Sequence, residues 1–159
     1  MSESLTNTGN AMPATTDEWM QKVYSAESNV RAMPQIKVCT EHILHGGMYS
    51  RTVRLAADVI IVGVLVKCPT MLVIRGCAIV FAGDKWQKLD GYNVIPAMAG
   101  RKQIYITASP TEITMLFPTK ATSVEEAEKE FTDETENLIS RKYADDDIVV
   151  ITGVPPCQV

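Results

Sequence analysis

Two stretches of the 159-residue chain bring together side chains of types that do chemistry. The first is Glu41, His42 and His45, where the two histidines of the whole chain stand beside a carboxylate, as metal binding or acid–base work would require. On an extended strand, residues four apart share a face, so Glu41 and His45 converge while His42 points the other way. That supplies two ligands, and a catalytic metal usually takes three from the protein. The plainer reading is a polar strand end running into the Gly46-Gly47 turn. Glu41, His42 and His45 are the metal candidates, but no metal, cofactor or catalytic residue is assigned.

The second stretch is Gly100-Arg101-Lys102, whose paired cations suit an anion. A solvated turn explains them more simply. Ser50, Ser109 and Ser140 lack a Gly-x-Ser-x-Gly elbow, and Gly91, Gly100 and Gly153 are isolated, so neither serine hydrolysis nor a phosphate-binding loop has support. Cys39, Cys68, Cys77 and Cys157 form no Cys-x-x-Cys pair, and the first three read as reduced, small apolar core residues.

Short strands must position these groups. From residue 35 to 118 the apolar period is two, with candidate strands at 36–44, 48–56, 58–66, 70–75, 77–82, 85–89, 91–95, 103–108 and 112–117, separated by glycine and proline signals. No helical stretch lies between them, so an antiparallel sandwich or barrel of jelly-roll type is expected. Its inward or interface side should draw on Val66, Met71, Val73, Ile79, Val80, Leu89, Val94, Ile95, Ile104, Ile106, Met115 and Leu116.

The ends differ from this middle. Residues 1–14 have no period and read as a disordered or partner-dependent arm. Thr15 and Glu18 are spaced as a capping box, followed by a short helix carrying Trp19, Met20, Val23 and Tyr24 on one face. Such a helix is marginal alone, so these four are the candidate partner-docking residues. A second box, Ser123 to Glu126, opens an acidic helix reaching about Lys142, with Thr132-Asp133 as a candidate break into two, and Ile148 to Thr152 reads as a strand that pairs with an edge. The expected divisions are an N-terminal arm (1–34), a barrel (35–120), an acidic helical segment (121–147) and an extended tail (148–159).

With 46% hydrophobic and 21% charged residues, a wholly disordered chain is excluded. The longest apolar run, Val59 to Val66, is far short of the roughly 20 residues that span a bilayer, so no membrane partner is expected. The start lacks a basic and apolar leader, which predicts synthesis in the cytoplasm. Residues 35–120 carry ten basic and five acidic groups, and residues 121–159 carry three and ten. The basic groups are scattered singly, so no nucleic-acid partner is expected; the acidic end should instead lie over the basic body, its own or a neighbour's.

The segments HGGMYSRTVRLAADVIIVG (45–63), MLVIRG (71–76), GYNVIPAMAGRKQIYI (91–106) and ITMLFPT (113–119), followed by the acidic VEEAEKEF (124–131), carry a family likeness. Over about half its length the chain resembles the cupin-like proteins encoded by tailed bacteriophages. The resemblance implies a mainly β fold: a cupin-like antiparallel jelly-roll barrel with a short N-terminal helix and a C-terminal acidic helix. Catalytic cupins hold a metal through histidines and a glutamate in a first motif and another histidine after the Gly…Pro turn of a second. Here residues 63–76 contain no His, Asp or Glu, and residues 97–103 contain no histidine. What the resemblance then implies is a non-enzymatic structural or accessory component of a phage particle. Such a protein would be a homo-oligomer in the virion with other virion proteins as partners. A metal-dependent or sugar-modifying cupin enzyme using Glu41, His42 and His45 is the alternative, and a glycan-binding module using the barrel mouth is a third.

Overall fold

Strict alternation of inward and outward side chains, clearest over Thr111–Pro118, bends the middle of the chain into one curled sheet. The computed structural model describes residues 11–152; residues 1–10 of the expected arm and 153–159 of the expected tail, Cys157 included, lie outside them. The elements in chain order are α1 (Asp17–Arg31), β1 (Thr40–His45), β2 (Met48–Leu55), β3 (Ile60–Val62), β4 (Thr70–Ala82), β5 (Lys85–Ala97), β6 (Ile104–Thr107), β7 (Thr111–Pro118), α2 (Val124–Phe131), α3 (Ile139–Lys142) and β8 (Ile148–Ile151). The sheet runs β3-β6-β4-β7-β2-β1-β8, with β5 on the other edge of β4. It is a mainly β, jelly-roll-like half-barrel with helices at both ends, as expected, but β3 and β8 do not pair and the curl stays open.

Gly76 lets the sheet branch. Sequence signals at Gly76 and Gly91 predict strand ends, whereas β4 and β5 run straight through them and pair Gly76 with Gly91. Beyond that point the second edge of β4 changes partner, from β7 at Met71–Arg75 to β6 at Ala78–Phe81. The β6–β7 corner presses so close that a Cβ on Gly76 would sit 2.5 Å from Thr111 Oγ1 and 2.6 Å from the Pro110 carbonyl oxygen. Its φ of +137° also belongs to glycine alone.

The same alternation divides the twelve positions expected in the core or at an interface. Val66, Val80, Ile95, Ile104 and Met115 are buried. Met71, Ile79, Val94 and Ile106 are exposed on the outer face, and Val73, Leu89 and Leu116 are half-buried. Cys39 is exposed and Cys68 and Cys77 are half-buried, so none is the fully buried core residue expected.

The N-terminal segment corrects two expectations. Met12 is fully buried, exchanging hydrogen bonds with Pro96 and Met98, and Thr15 and Thr16 donate to the Gly100 and Gly83 carbonyls, so residues 12–16 are fastened to the sheet rather than forming a free arm. No capping box forms: Thr16 is the N-cap without a side-chain bond, and the Thr15 hydroxyl is instead engaged by the backbone of Lys102. The second box does form in part, with Ser123 Oγ accepting from the Glu126 amide. Its helix does not run unbroken to Lys142: it ends at Phe131, at the candidate break Thr132-Asp133, and helix resumes as α3.

Gly76→Ala should cost about 2 kcal/mol or more, because backbone strain and a backbone clash combine. Gly91→Ala, with positive φ but open space around its Cβ, should cost about 1 kcal/mol. Urea unfolding of the two variants checks the order.

Candidate functional site

The concave side of the sheet, roofed by the end of α1 and by the segment after α2, encloses a cavity of about 680 Å³. Its wall is mostly aliphatic: Val53, Ile61, Val64, Leu72, Ile113 and Met115 all line it. Polar side chains interrupt that wall: Arg51 of β2 and, from one short segment, the three side chains Arg101, Gln103 and Tyr105. Alternation in the extended segment 101–105 turns all three inward.

Arg101 is held rigidly. Its backbone is bridged to Val66, Nη1 donates to the Met98 carbonyl at 2.9 Å, and Nη2 donates to Thr70 Oγ1 at 2.6 Å. The side chain is 1% exposed, yet no carboxylate pairs with it among the described residues, and Nε–H has no partner. Burial pushes its pKa down from the usual value, the nearby Tyr105 and Cys68 acting the other way. Gln103 accepts from the Tyr105 hydroxyl at 2.8 Å through Oε1, leaving its Nε2 group without an acceptor. Burial raises the Tyr105 pKa, so the phenol stays protonated and serves to orient Gln103.

Lys102, between these two, faces outward and is equally buried. Its Nζ donates to the Gly63 carbonyl at 2.9 Å and meets Glu27 at 2.9 Å and Glu134 at 3.3 Å, with the Tyr24 ring 4.5 Å away. Burial opposes ionisation of Glu134, but bonds from Tyr24 and the Leu65 amide, with the charge of Lys102, hold its carboxyl below the usual range. Tyr24 is pushed up to about 12 by burial and by Glu134. The expected solvated turn at Gly100-Arg101-Lys102 is therefore two buried cations. Sequence could have flagged them by the Gln103-Ile-Tyr-Ile106 strand that follows, since side chains entering a strand beside apolar neighbours turn inward.

The expected metal candidates do not come together. Glu41 lies 3.7 Å from Arg54 and His45 bonds to Thr152, while His42 points into the core. His42 is not a turn residue: it is 1% exposed, its Nδ1 is 2.8 Å from the Tyr49 hydroxyl, and its Nε2 is 3.3 Å from Asp147. A carboxylate only accepts, so Nε2 carries the proton and Tyr49 donates to Nδ1. No group of three His, Cys, Asp or Glu side chains suited to a metal occurs among the described residues. A metal of the kind cupins hold does not fit the cavity, because aliphatic side chains form its wall and the unpaired Arg101 guanidinium would repel a cation.

The docking face expected of α1 is used internally. Trp19 packs on Phe81 with ring centroids 5.1 Å apart, Val23 is buried with Phe81 and Ile104, Tyr24 donates to Glu134 at 2.5 Å, and Met20 is half-buried. The apolar stripe is Trp19, Val23 and Ala26, seated against Ile60 and Val62 of β3. The acidic end covers its own basic body, with Asp133 on Lys67, Glu134 on Lys102, Asp146 on Lys37 and Glu128 near Arg51.

No family model matches the chain, and no curated protein matches its sequence. Solved structures resemble it in fold. One is a cupin superfamily protein of Desulfitobacterium hafniense, 9% identical over 57% of this chain and 87% of that one, with a TM-score of 0.44. A cupin-2 domain protein of Shewanella frigidimarina is 11% identical over 63% and 98%, with a TM-score of 0.42. Salicylate 1,2-dioxygenase of Pseudoaminobacter salicylatoxidans is 10% identical over 80% and 39%, with a TM-score of 0.48. The architecture is a mainly β, jelly-roll-like half-barrel, and its concave face holds a cavity with two unpartnered donors in the wall.

His42 generates a pH prediction. Burial first, and the charge of Arg51 second, hold its pKa below the ordinary 6.5, against the pull of Asp147. A base kept neutral in the fold is protonated first in the unfolded chain, so its contribution is complete above 6.5 and declines as pH falls toward its native pKa. His42→Gln should cost about 1–3 kcal/mol at neutral pH. Urea unfolding should also show a smaller loss of stability for His42→Gln than for the unmodified chain between about pH 7.5 and pH 5.5.

Proposed function

We propose that the chain is a non-enzymatic binding protein whose open barrel takes up a small molecule. The observation that carries this reading is the pairing of a roughly 680 Å³ aliphatic cavity with the unpartnered donors Arg101 Nε and Gln103 Nε2. Buried donors without acceptors are costly in a finished core, and a bound acceptor removes the cost. The polar groups at the cavity stabilise charge or accept and donate hydrogen bonds. Neither histidine lines the cavity, and the Cys68 thiol, raised in pKa by burial, is a poor nucleophile. A glycan suits this wall less well, since its many hydroxyls would face Val64, Leu72 and Ile113. The uncharged, environment-sensitive fluorophore N-phenyl-1-naphthylamine should brighten and blue-shift with the unmodified chain and lose that signal with Leu72→Trp, which fills the cavity. Equal signals from both proteins, or none from either, would count against a ligand-binding interior.

A second reading, compatible with the first, is an oligomeric accessory component of a tailed-phage particle. What supports it is the resemblance of residues 45–131 to phage cupin-like proteins and the state of β8. Ile148, Val149, Val150 and Ile151 are each 41–52% exposed on both faces of a strand at the sheet edge. An uncovered apolar edge of this kind invites strand pairing. A second copy is the occupant this strand selects: Ile-Val-Val-Ile is a palindrome, so antiparallel pairing about a two-fold axis places each Ile148 opposite an Ile151 and each Val149 opposite a Val150. Light scattering should give a dimer or a multiple of it for the unmodified chain and a halved mass for Val149→Lys. A monomeric unmodified chain, or an unchanged mass in the variant, would remove this reading.

A further inference from the structure

We infer that the ligand of the cavity is a carboxylic acid with an apolar body, its carboxylate received by the Nε–H of Arg101 and the Nε2 amide of Gln103. The inference rests on the binding reading above and names the ligand class. Three observations carry it. Arg101 is a buried cation with no acidic partner among the described residues, whereas its neighbour Lys102 has two. A buried charge that is not neutralised locally is expensive, and an anionic ligand neutralises it. Both unpartnered atoms at the site are donors, so an acceptor is required. Arg101 and Gln103 stand two residues apart on one extended face and both line the cavity, so the two donors belong to the same stretch of wall. The third observation is the rest of the wall, which offers Val64, Val66, Leu72 and Met115 to whatever follows the head group.

The geometry also limits the head group. The Nη1 and Nη2 groups of Arg101 are already committed to Met98, Cys68, Thr70 and Met115, leaving a single guanidinium donor rather than a two-pronged fork. With Gln103 that makes two attachment points for two oxygens. A phosphate or sulfate head would leave oxygens facing aliphatic side chains, which disfavours it. The lining also carries Arg31, Arg51, Arg141 and Lys142 against Glu27, Asp58 and Glu136, so its other charged groups do not sum to a negative charge that would repel an anion.

Isothermal calorimetry on the full chain decides the matter, using octanoate and 3-phenylpropanoate, each against its uncharged amide. At least one acid should bind about ten-fold or more tightly than its amide, because the charge-assisted bond to Arg101 is lost in the amide. Gln103→Leu, which removes one donor and leaves the Arg101 anchorage in place, should weaken that acid about three- to ten-fold and narrow its lead over the amide. Arg101→Met should abolish the lead; should that variant fail to fold, the comparison on the unmodified chain still decides. Amides that bind as well as both acids, or no heat from either acid at millimolar concentration, would overturn the inference. Because the naphthylamine fluorophore is uncharged, its Leu72→Trp-sensitive binding stands or falls independently, so a wrong ligand class is distinguishable from the lack of a binding cavity.

Discussion

The arrangement depends on burying the ammonium of Lys102. Taking such a charge out of water costs on the order of several kcal/mol, so the fold must bring compensation to it. It does so from three separate parts of the chain: Glu27 from α1, the Gly63 carbonyl from the end of β3, and Glu134 from the segment after α2. Each carboxylate is itself positioned, Glu134 by Tyr24 and the Leu65 amide and Glu27 by Arg31. The ammonium thus joins the N-terminal helix to the acidic C-terminal segment across the open side of the sheet. Without it, two carboxylates would meet with nothing between them, and the roof over the concave face would lose its main polar fastening.

That roof is what turns a curled sheet into a container. A half-barrel whose edge strands β3 and β8 do not meet has an exposed concave face, and its aliphatic wall would be wet. The stripe of α1 seated on β3 closes one side, and Phe131, Leu138 and Ile139 close another. The acidic end therefore has a mechanical role as well as an electrostatic one: its ion pairs to Lys67, Lys102 and Lys37 hold the cover down at points spread along the body. His42 contributes from beneath. By holding Asp147, which also accepts the Thr40 amide, it fastens the chain just before β8 and so sets where the exposed edge strand lies.

The period-two pattern made the sheet legible, because alternation is local and every strand needs it. It could not distinguish inward from outward faces in β4, where Met71 and Ile79 are as apolar as Leu72 and Ile74 yet lie outside. It also could not show that Gly76 bends a continuous strand, since the cause is the distant corner at Pro110-Thr111. The excess of basic groups in the middle and acidic groups at the end was readable and describes real contacts. The site was less legible. Glu41, His42 and His45 drew attention because of their types, but their surroundings place them apart. Arg101 and Lys102 looked like turn residues because burial of a cation depends on partners such as Glu27 and Glu134, which are remote in sequence. The helix face of Trp19, Val23 and Tyr24 was visible as a face, whereas its target, Phe81 and Ile104, required the fold.

Arg101 and Lys102 are adjacent, cationic and buried to the same degree, so the difference between them is informative. The carboxylates Glu27 and Glu134 that neutralise Lys102 come from covalently remote segments, which shows that this fold can deliver acids to a buried cation where stability alone is at stake. At Arg101 it delivers carbonyl and hydroxyl oxygens that fix the guanidinium in place, but no charge to balance it. The side chain is firmly oriented within the cavity wall, and its Nε–H is left buried without an acceptor. Positions where a chain breaks its own rules of compensation are where function is expected to reside, and that is why the proposed binding role is attached to the wall at Arg101 and Gln103 rather than to Lys102.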